Sequence, residues 1–356
     1  MKIDGRELIV SKNGQSRKKR IWTALFVLFN IAVIAATAWN EFSDSPEGAI
    51  DFTFSEHALL YLGCTGLCLA AVLGAESLKY LLMMRSLGEK VSFRIAFETA
   101  ALGKYYDCIT PSGAGGQPFQ ILWLRRHGYS DGAASAMTIS GYITMQAGFI
   151  LLALGVFVTW RSVELEAIRY TAYFGLLLFS LIPCLLALFS FRPKDVRRFI
   201  TAVIRLLGKV KLVKKPEEAT GNVLGMLDNY HSSFSAIAKD KATLICLFAL
   251  SLVYRIALCS MPFFVLKMFD VPVDFFTIFA TTIYIYASIT LVPTPGNAGA
   301  AEGAFYLVFS PIGTDGVFWA MLIWRLFCFY SFIAVGAGIY GVTALSGKRR
   351  KGGESA

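Results

Sequence analysis

The chain has 356 residues, of which 56% are hydrophobic and only 16% charged, and its formal net charge at pH 7 is +10. Several segments reach the roughly 20 apolar residues that a spanning helix needs, so the composition predicts an integral membrane protein and excludes a soluble or secreted one. The basic residues are confined to particular loops, so the positive charge indicates membrane topology and no nucleic-acid partner.

Six segments are predicted to cross the membrane completely. Residues 1–20 form a basic tail, whereas the loop after the first span, Asn40 to Glu56, has acidic residues and no Lys or Arg. The positive-inside rule therefore predicts a cytoplasmic N-terminus, and six crossings return the basic tail 346–356 to the cytoplasmic side of the plasma membrane. The predicted spans are Ile21–Trp39, His57–Met84, Gly132–Trp160, Tyr170–Phe191, Ala242–Phe269 and Gly316–Leu345.

Two stretches share the pattern T-P-x-x-A-G and interrupt apolar segments. The first, TPSGAGGQPF, begins at Thr110, and the second, TPGNAGAAEGAF, begins at Thr294. Basic residues flank the surrounding segment Val91–Leu124 on both sides, and acidic residues flank Phe275–Phe309 on both sides. Each segment is therefore predicted to enter and leave the membrane on one face, as a re-entrant hairpin of two half-helices broken at its proline.

The order span, hairpin, span occurs twice, in residues 57–160 and 242–345. Because the two hairpins open to opposite faces, this order predicts an inverted repeat like those of secondary transporters. The fold class is therefore an all-α polytopic membrane protein whose membrane domain covers residues 21–345. The alternative is that both motifs are ordinary loops whose similarity is accidental.

Helix breaks inside a bilayer are expected to line a cavity, because their backbone polar groups need partners. Pro111 and Pro295 end one half-helix in each hairpin, and the glycines that follow, Gly115, Gly116 and Gly299 among them, permit tight turns. The half-helix after each break presents a positive N-terminus that suits a phosphate. Capping of these ends by Ser112 or Asn297 is the alternative.

Ionisable residues inside the predicted spans and hairpins indicate a polar site. We expect Lys104, Arg255 and Arg325 to contact a phosphate. Asp107 and Glu302 are expected to contact an ammonium group. A pair between Arg255 and Glu302 that only braces the hairpin is the alternative. A further pair, Glu76 and Lys79, is three residues apart on one helix and is expected to satisfy itself.

The cytoplasmic segment 192–241 is basic and amphipathic. In its first part Phe199, Val203 and Leu207 fall at helical spacing, with Arg and Lys residues on the other side. This pattern predicts a helix at residues 196–215 that binds the anionic lipids of the inner leaflet. A solvated helical hairpin without a lipid role is the alternative.

Neither a cofactor nor a metal ion is expected. The seven cysteines lie mostly in apolar runs, and no C-x-x-C or Cys/His array typical of zinc sites occurs. The sequence also lacks a phosphate-binding P-loop and a G-x-S-x-G nucleophile motif, so no catalytic residue is assigned.

The motifs YDCITPSGAGGQPFQ, LRRHG and VPTPGNAGAAEGAF resemble the signatures of the lysylphosphatidylglycerol synthase transmembrane region, the flippase-like domain of the multiple peptide resistance factor family. The resemblance covers about residues 21–345. It implies a flippase that carries lysyl-phosphatidylglycerol to the outer leaflet, where the lipid blunts cationic antimicrobial peptides. The motif residues that it adds to the candidate site are Asp107, Thr110, Pro111, Gly115, Gly116, Gln117, Pro118, Thr294, Pro295, Gly299 and Glu302.

In full-length members of that family a separate C-terminal domain transfers lysine from lysyl-tRNA to phosphatidylglycerol. Because the sequence ends at Ala356, shortly after the last span, we expect no lysyltransferase chemistry here. The predicted function is translocation of an anionic or aminoacylated phospholipid, with a separate aminoacyl transferase or a second copy of the chain as partner. The alternatives are a lysyltransferase or its accessory subunit, and a purely structural membrane protein.

Overall fold

The computed structural model describes residues 54–111, 113, 115–159, 166–209, 216–290, 292–312 and 316–353. Most of the described residues are helical and none lies in a strand, which confirms the predicted all-α polytopic membrane protein. The first predicted span, Ile21–Trp39, and the tail 1–20 lie outside the described residues. In chain order the helices are α1 (Ala58–Ser86), α2 (Phe93–Ile109), α3 (Gly116–Arg126), α4 (Asp131–Thr159), α5 (Glu166–Phe191), α6 (Pro193–Lys209), α7 (Pro216–Lys239), α8 (Lys241–Lys267), α9 (Phe275–Ile289), α10 (Ala300–Phe309), α11 (Val317–Arg325) and α12 (Ser331–Gly353).

Five of the described helical segments are long and apolar enough to cross a membrane. They are α1, α4, α5, α8 and the continuous segment Gly316–Thr343, which contains α11, a π-helical turn at Leu326–Tyr330 and most of α12. These segments agree with the five predicted spans that follow Ile21–Trp39. Many large apolar side chains of α5 are exposed, as expected for a surface that faces lipid.

The helices on either side of the two T-P-x-x-A-G motifs are short. Helices α2 and α3 have 17 and 11 residues, and α9 and α10 have 15 and 10. None reaches the roughly 20 residues that cross a bilayer, so each pair forms half-helices separated by a break, as predicted.

Helices α1 and α8 pack against each other along their whole length in antiparallel orientation. Just before α1, Ser55 N donates a hydrogen bond to Met268 O at the end of α8 (2.9 Å). At the opposite end of α1, Ser86 Oγ donates to Oδ2 of Asp240, the residue that caps the start of α8 (2.9 Å). Hydrogen bonds from Thr243 and Ser86 hold the pKa of Asp240 below its usual range, so this carboxylate is ionised at neutral pH.

The antiparallel packing of α1 and α8 supports the predicted inverted repeat. Helices α1 to α4 and helices α8 to α12 follow the same order of span, broken pair and span. Equivalent first helices that run in opposite directions are what an inverted repeat requires. The division into repeats 57–160 and 242–345 stays a proposal, which this packing supports.

The segment 192–241, which is predicted to be cytoplasmic, contains two helices, α6 and α7, that pack against each other. On α6, Val196 and Ile204 are buried, and the guanidinium of Arg197 pairs with the carboxylate of Asp228 on α7. The start of α4 is seated on α7 so closely that a Cβ at Gly132 would lie 2.6 Å from the backbone carbonyl of Asn229. The absence of a side chain at position 132 therefore permits the close packing of α4 on α7.

We predict that Gly132→Ala destabilises the protein, by about 1–3 kcal/mol, because the added methyl group forces α4 away from α7. The matched control is Gly155→Ala on the same helix, where a Cβ has no neighbour within 4 Å. Because alanine favours helix more than glycine, the control is expected to be neutral or stabilising. Thermal unfolding of both variants in detergent measures the difference, and equal stability of the two would contradict the packing.

Candidate functional site

The two helix breaks meet in the structure. Pro111 and Pro295 form an isolated antiparallel bridge, and Gly296 N donates a hydrogen bond to Thr110 O (3.4 Å). Gly296 has a φ of 57°, and a Cβ there would lie 2.3 Å from Cε2 of Phe329. Glycine is therefore required at position 296 by the positive φ of the backbone and by the close approach of the Phe329 ring.

At the first break, Asp107 connects the two half-helices. Its Oδ1 accepts a hydrogen bond from Gly116 N, the first residue of α3 (3.0 Å), and its Oδ2 pairs with Lys104 Nζ (3.4 Å). Thr110 Oγ1 accepts a second hydrogen bond, from Gly115 N (2.9 Å). The break is thus closed by its own side chains, as a bend inside a membrane requires.

At the second break, Glu302 caps its own half-helix, α10. Its Oε2 accepts from Gly299 N at the start of α10 (2.7 Å) and from Arg325 Nη2 of α11 (2.6 Å). Arg325 Nη2 also lies 3.4 Å from Asn297 O. Glu302 and Arg325 are both almost fully buried, so the charges compensate each other without water.

These contacts correct two sequence-based alternatives. The proposed Arg255–Glu302 pair is wrong, because Glu302 folds back onto Gly299 and meets Arg325 instead. Capping by Asn297 is also wrong: the ends of the half-helices are capped by Asp107 and Glu302, and Asn297 Oδ1 has no hydrogen-bond partner among the described residues. The other suggested cap, at position 112, lies outside the described residues.

Arg255 is buried without a carboxylate partner. It lies at the middle of α8, is 8% exposed, and its Nη2 donates to Gln146 Oε1 (2.9 Å). In the part of the chain that the structure describes, no acidic oxygen lies within 4 Å of its guanidinium and its Nε has no hydrogen-bond partner. The guanidinium carbon stands 4.5 Å from the centroid of the Phe149 ring. A buried, uncompensated cation is costly inside a membrane, which makes Arg255 a candidate for contact with an anionic ligand.

A cavity of about 190 Å³ lies between the two breaks and α8. Charged side chains on its wall come from both halves of the chain, and aromatic side chains cover much of the rest. Its lining includes Lys104, Asp107, Cys108, Gly113, Phe149, Phe179, Tyr254, Arg255, Tyr286, Thr290, Gly296, Asn297, Arg325, Cys328 and Phe329.

The structure places the predicted site residues in two groups. Lys104, Asp107, Arg255 and Arg325 line the cavity. The others form or flank the breaks and are not part of its lining; they are Thr110, Pro111, Gly115, Gly116, Gln117, Pro118, Thr294, Pro295, Gly299 and Glu302. The second group shapes the site, and the assignment of any of these residues to a lipid headgroup stays a prediction.

Several residues of the site were missed by sequence reasoning. Gln146 holds Arg255, and its position as a polar residue inside the fourth helix was a usable signal. Tyr254 lies under Lys104, with the amine 4.9 Å from the ring centroid, but an aromatic residue in an apolar span carries no signal of its own.

Two further expectations concern groups outside the cavity wall. Glu76 and Lys79 are both buried and do pair with each other, at 2.8 Å, as expected, and Lys79 Nζ also donates to Gly141 O (3.3 Å). Within the described ranges, no group of three or more His, Cys, Asp or Glu side chains is placed to hold a metal ion.

Comparison with known proteins connects this geometry to a family. The sequence profile of the lysylphosphatidylglycerol synthase TM region matches residues 21–336. A UPF0104 membrane protein of Archaeoglobus fulgidus is 24% identical over 266 residues, which cover 73% of this chain and 80% of that protein.

The buried pair at the second break gives a prediction about stability. Glu302→Gln alone is expected to destabilise the protein by about 3–5 kcal/mol, because it leaves the Arg325 charge buried without compensation. The double variant Glu302→Gln, Arg325→Met removes both charges and is expected to cost clearly less than the sum of the two single changes. Thermal unfolding of the four proteins in detergent measures this coupling.

The matched control is the exposed pair Arg192 and Asp195, whose side chains are 66% and 58% exposed. Replacing these two residues by Met and Asn is expected to show almost no coupling, since water screens the pair. If the coupling between Glu302 and Arg325 is as small as that of the control pair, the two charges do not compensate each other.

Proposed function

Because the chain belongs to the lysylphosphatidylglycerol synthase TM region family, we propose that it translocates a phospholipid between the leaflets of a membrane, with the headgroup in the cavity between the two breaks. The observation that carries this proposal is the buried, uncompensated Arg255 in that cavity. A phosphate is the group that such a guanidinium binds best in a lipid headgroup, because the two can form parallel charge-assisted hydrogen bonds.

The size and position of the cavity support a headgroup site. At about 190 Å³ it is smaller than the roughly 300–1,000 Å³ of sites that enclose a drug-sized molecule, so it suits a headgroup whose acyl chains stay in the lipid. Arg255 lies at the middle of α8, which is long enough to span the membrane. A headgroup bound there would be halfway between the leaflets.

Movement of the lipid requires the site to open to each leaflet in turn. The two breaks come from halves whose first helices, α1 and α8, are antiparallel, and such halves exchange inward and outward exposure by small rotations. The π-helical turn Leu326–Tyr330 lies on the same cavity, through Cys328 and Phe329. Turns of this kind are frequent at functional sites, and we assign it the bending of the last span.

The chain is a multi-pass membrane protein. As part of the proposal, its termini lie in the cytoplasm and the membrane is the plasma membrane, since the charge pattern of the loops follows the positive-inside rule.

We also infer that α6 lies on the inner leaflet. Beside the buried Val196 it exposes the apolar side chains of Phe199 and Leu206, each 61% exposed. The Phe199 ring stacks near Phe189 of α5, at 6.5 Å, so this apolar face continues the lipid-facing surface of that span. Exposed arginines beside it, such as Arg205, suit the negative charge of anionic lipids.

The alternative activity is lysine transfer from lysyl-tRNA to phosphatidylglycerol, which would form the lysylphosphatidylglycerol that appears in the family's name. It would be favoured over translocation if the purified protein, supplied with charged tRNA and phosphatidylglycerol, formed the lysyl lipid.

The transport proposal predicts a large effect of removing the Arg255 charge. In proteoliposomes, a fluorescent phosphatidylglycerol is added to both leaflets and the fraction that an impermeant reductant destroys is followed over time. Arg255→Gln is expected to lower the translocation rate by about 10- to 100-fold, as loss of a hydrogen bond to a charged group does.

Arg85→Gln is the matched control, because it removes the same charge from an exposed position at the end of α1. It is expected to retain the wild-type rate. If a folded Arg255→Gln protein translocates lipid as fast as this control, the headgroup does not depend on Arg255.

The position of α6 is tested with an environment-sensitive fluorophore on single cysteines in a cysteine-free background. A fluorophore at Phe199→Cys is expected to be quenched by spin-labelled lipids, whereas one at Arg205→Cys on the polar face is expected to be quenched by a water-soluble reagent. Quenching at both positions by the water-soluble reagent and at neither by spin-labelled lipids would mean that α6 is surrounded by water.

A further inference from the structure

We propose that the cavity selects a headgroup whose only charge is the negative charge of a phosphodiester, against zwitterionic and aminoacylated headgroups. This inference rests on the proposed function and narrows its substrate class. It follows from how the buried charges are paired.

In three ion pairs within the described chain, both side chains are mostly buried. They are Lys79–Glu76 (2.8 Å), Lys104–Asp107 (3.4 Å) and Arg325–Glu302 (2.6 Å). Each of these pairs is neutral as a whole. Arg255 is a fourth buried cation, held by the neutral Gln146, so the cavity and its surroundings carry an excess of one positive charge.

The carboxylates that an ammonium group would need are already engaged. Asp107 accepts hydrogen bonds or ion-pair contacts from Lys104 and Gly116, and Glu302 from Arg325 and Gly299. Both are part of the breaks themselves, so turning either toward a ligand would uncap a half-helix. The earlier assignment of Asp107 and Glu302 to an ammonium group is therefore replaced.

A phosphodiester with one negative charge compensates Arg255 and leaves the site neutral. An ethanolamine headgroup adds an ammonium next to three cationic side chains, Lys104, Arg255 and Arg325, with no unengaged carboxylate on the described cavity wall. A lysyl headgroup adds two ammonium groups. Like charges that share one small, low-dielectric cavity repel strongly, so both lipids are expected to be rejected.

The test measures binding on the full chain, separately from the proteoliposome transport assay. Binding to purified protein in neutral nanodiscs is compared for phosphatidylglycerol, phosphatidylethanolamine, lysyl-phosphatidylglycerol and, as a soluble source of the same anion, inorganic phosphate. We expect at least about tenfold tighter binding of phosphatidylglycerol than of the two amine-bearing lipids. Inorganic phosphate is expected to compete only weakly; competition as strong as that of the lipid would identify a soluble anion as the ligand and overturn the lipid assignment.

The most informative variant is Gln146→Glu. It leaves Arg255 in place and replaces the amide that accepts its 2.9 Å hydrogen bond by a carboxylate. It is expected to abolish the preference for phosphatidylglycerol. Gln146→Met removes the same hydrogen bond without adding charge and is expected to retain the preference for the anionic lipid. Unchanged selectivity in a folded Gln146→Glu protein would overturn the inference.

The outcomes also separate this inference from the proposed function. Selective binding of phosphatidylglycerol without movement of any lipid would keep the charge selection and contradict translocation. Translocation of all three lipids at equal rates would keep the translocator and contradict the charge selection.

Discussion

The architecture depends on one constraint: a chain that breaks its helices inside a membrane has to satisfy the exposed backbone and every buried charge with its own groups. The protein does so by bringing its two breaks together. Pro111 and Pro295 meet in a short bridge, and a carboxylate next to each break caps the half-helix that follows it. Each of these carboxylates is in turn neutralised by one cation, Lys104 or Arg325.

This arrangement leaves Arg255 as the exception, and the proposed function rests on this residue. A residue that only braced the fold would be expected to have a carboxylate partner, as Arg325 has. Arg255 instead faces a cavity, is held by an uncharged amide and lies at the middle of a spanning helix. The negative charge that neutralises Arg255 would then come from a ligand, and in a membrane the abundant ligand with a phosphate is a phospholipid.

The sequence was sufficient for the features that depend on local patterns. Hydropathy located the spans from His57 onward to within a few residues, and the paired T-P-x-x-A-G motifs located both breaks. The partner of Glu302 was not predictable, because Arg255 and Arg325 both lie in flanking spans and only the fold decides which one faces α10. The aromatic wall of the cavity gave no signal, since its residues look like ordinary lipid-facing positions.

Capping was mispredicted for a related physical reason. At the second break, sequence rules pointed to Asn297 as a polar residue close to the start of the helix, whereas the cap is Glu302, three residues after Gly299. At the first break, the cap Asp107 is nine residues before Gly116 and reaches it only because α2 and α3 fold back on each other. A contact across a tight hairpin depends on the angle between the half-helices. Composition and periodicity do not contain that angle.

The meeting of the two breaks is tested most directly by disulfide formation between Pro111→Cys and Pro295→Cys, in a chain whose seven native cysteines are replaced and which carries a protease site at residues 210–215. Residues opposed in an antiparallel bridge have Cα atoms about 4.5–5.5 Å apart, which a disulfide spans. After oxidation in native membranes and cleavage, the two halves are predicted to remain linked. A second pair, Pro295→Cys with Leu59→Cys near the start of α1, also lies on opposite sides of the cleavage site and is predicted to let the halves separate, because Leu59 is 85% exposed. Separation of the halves in the first pair as well would contradict the account.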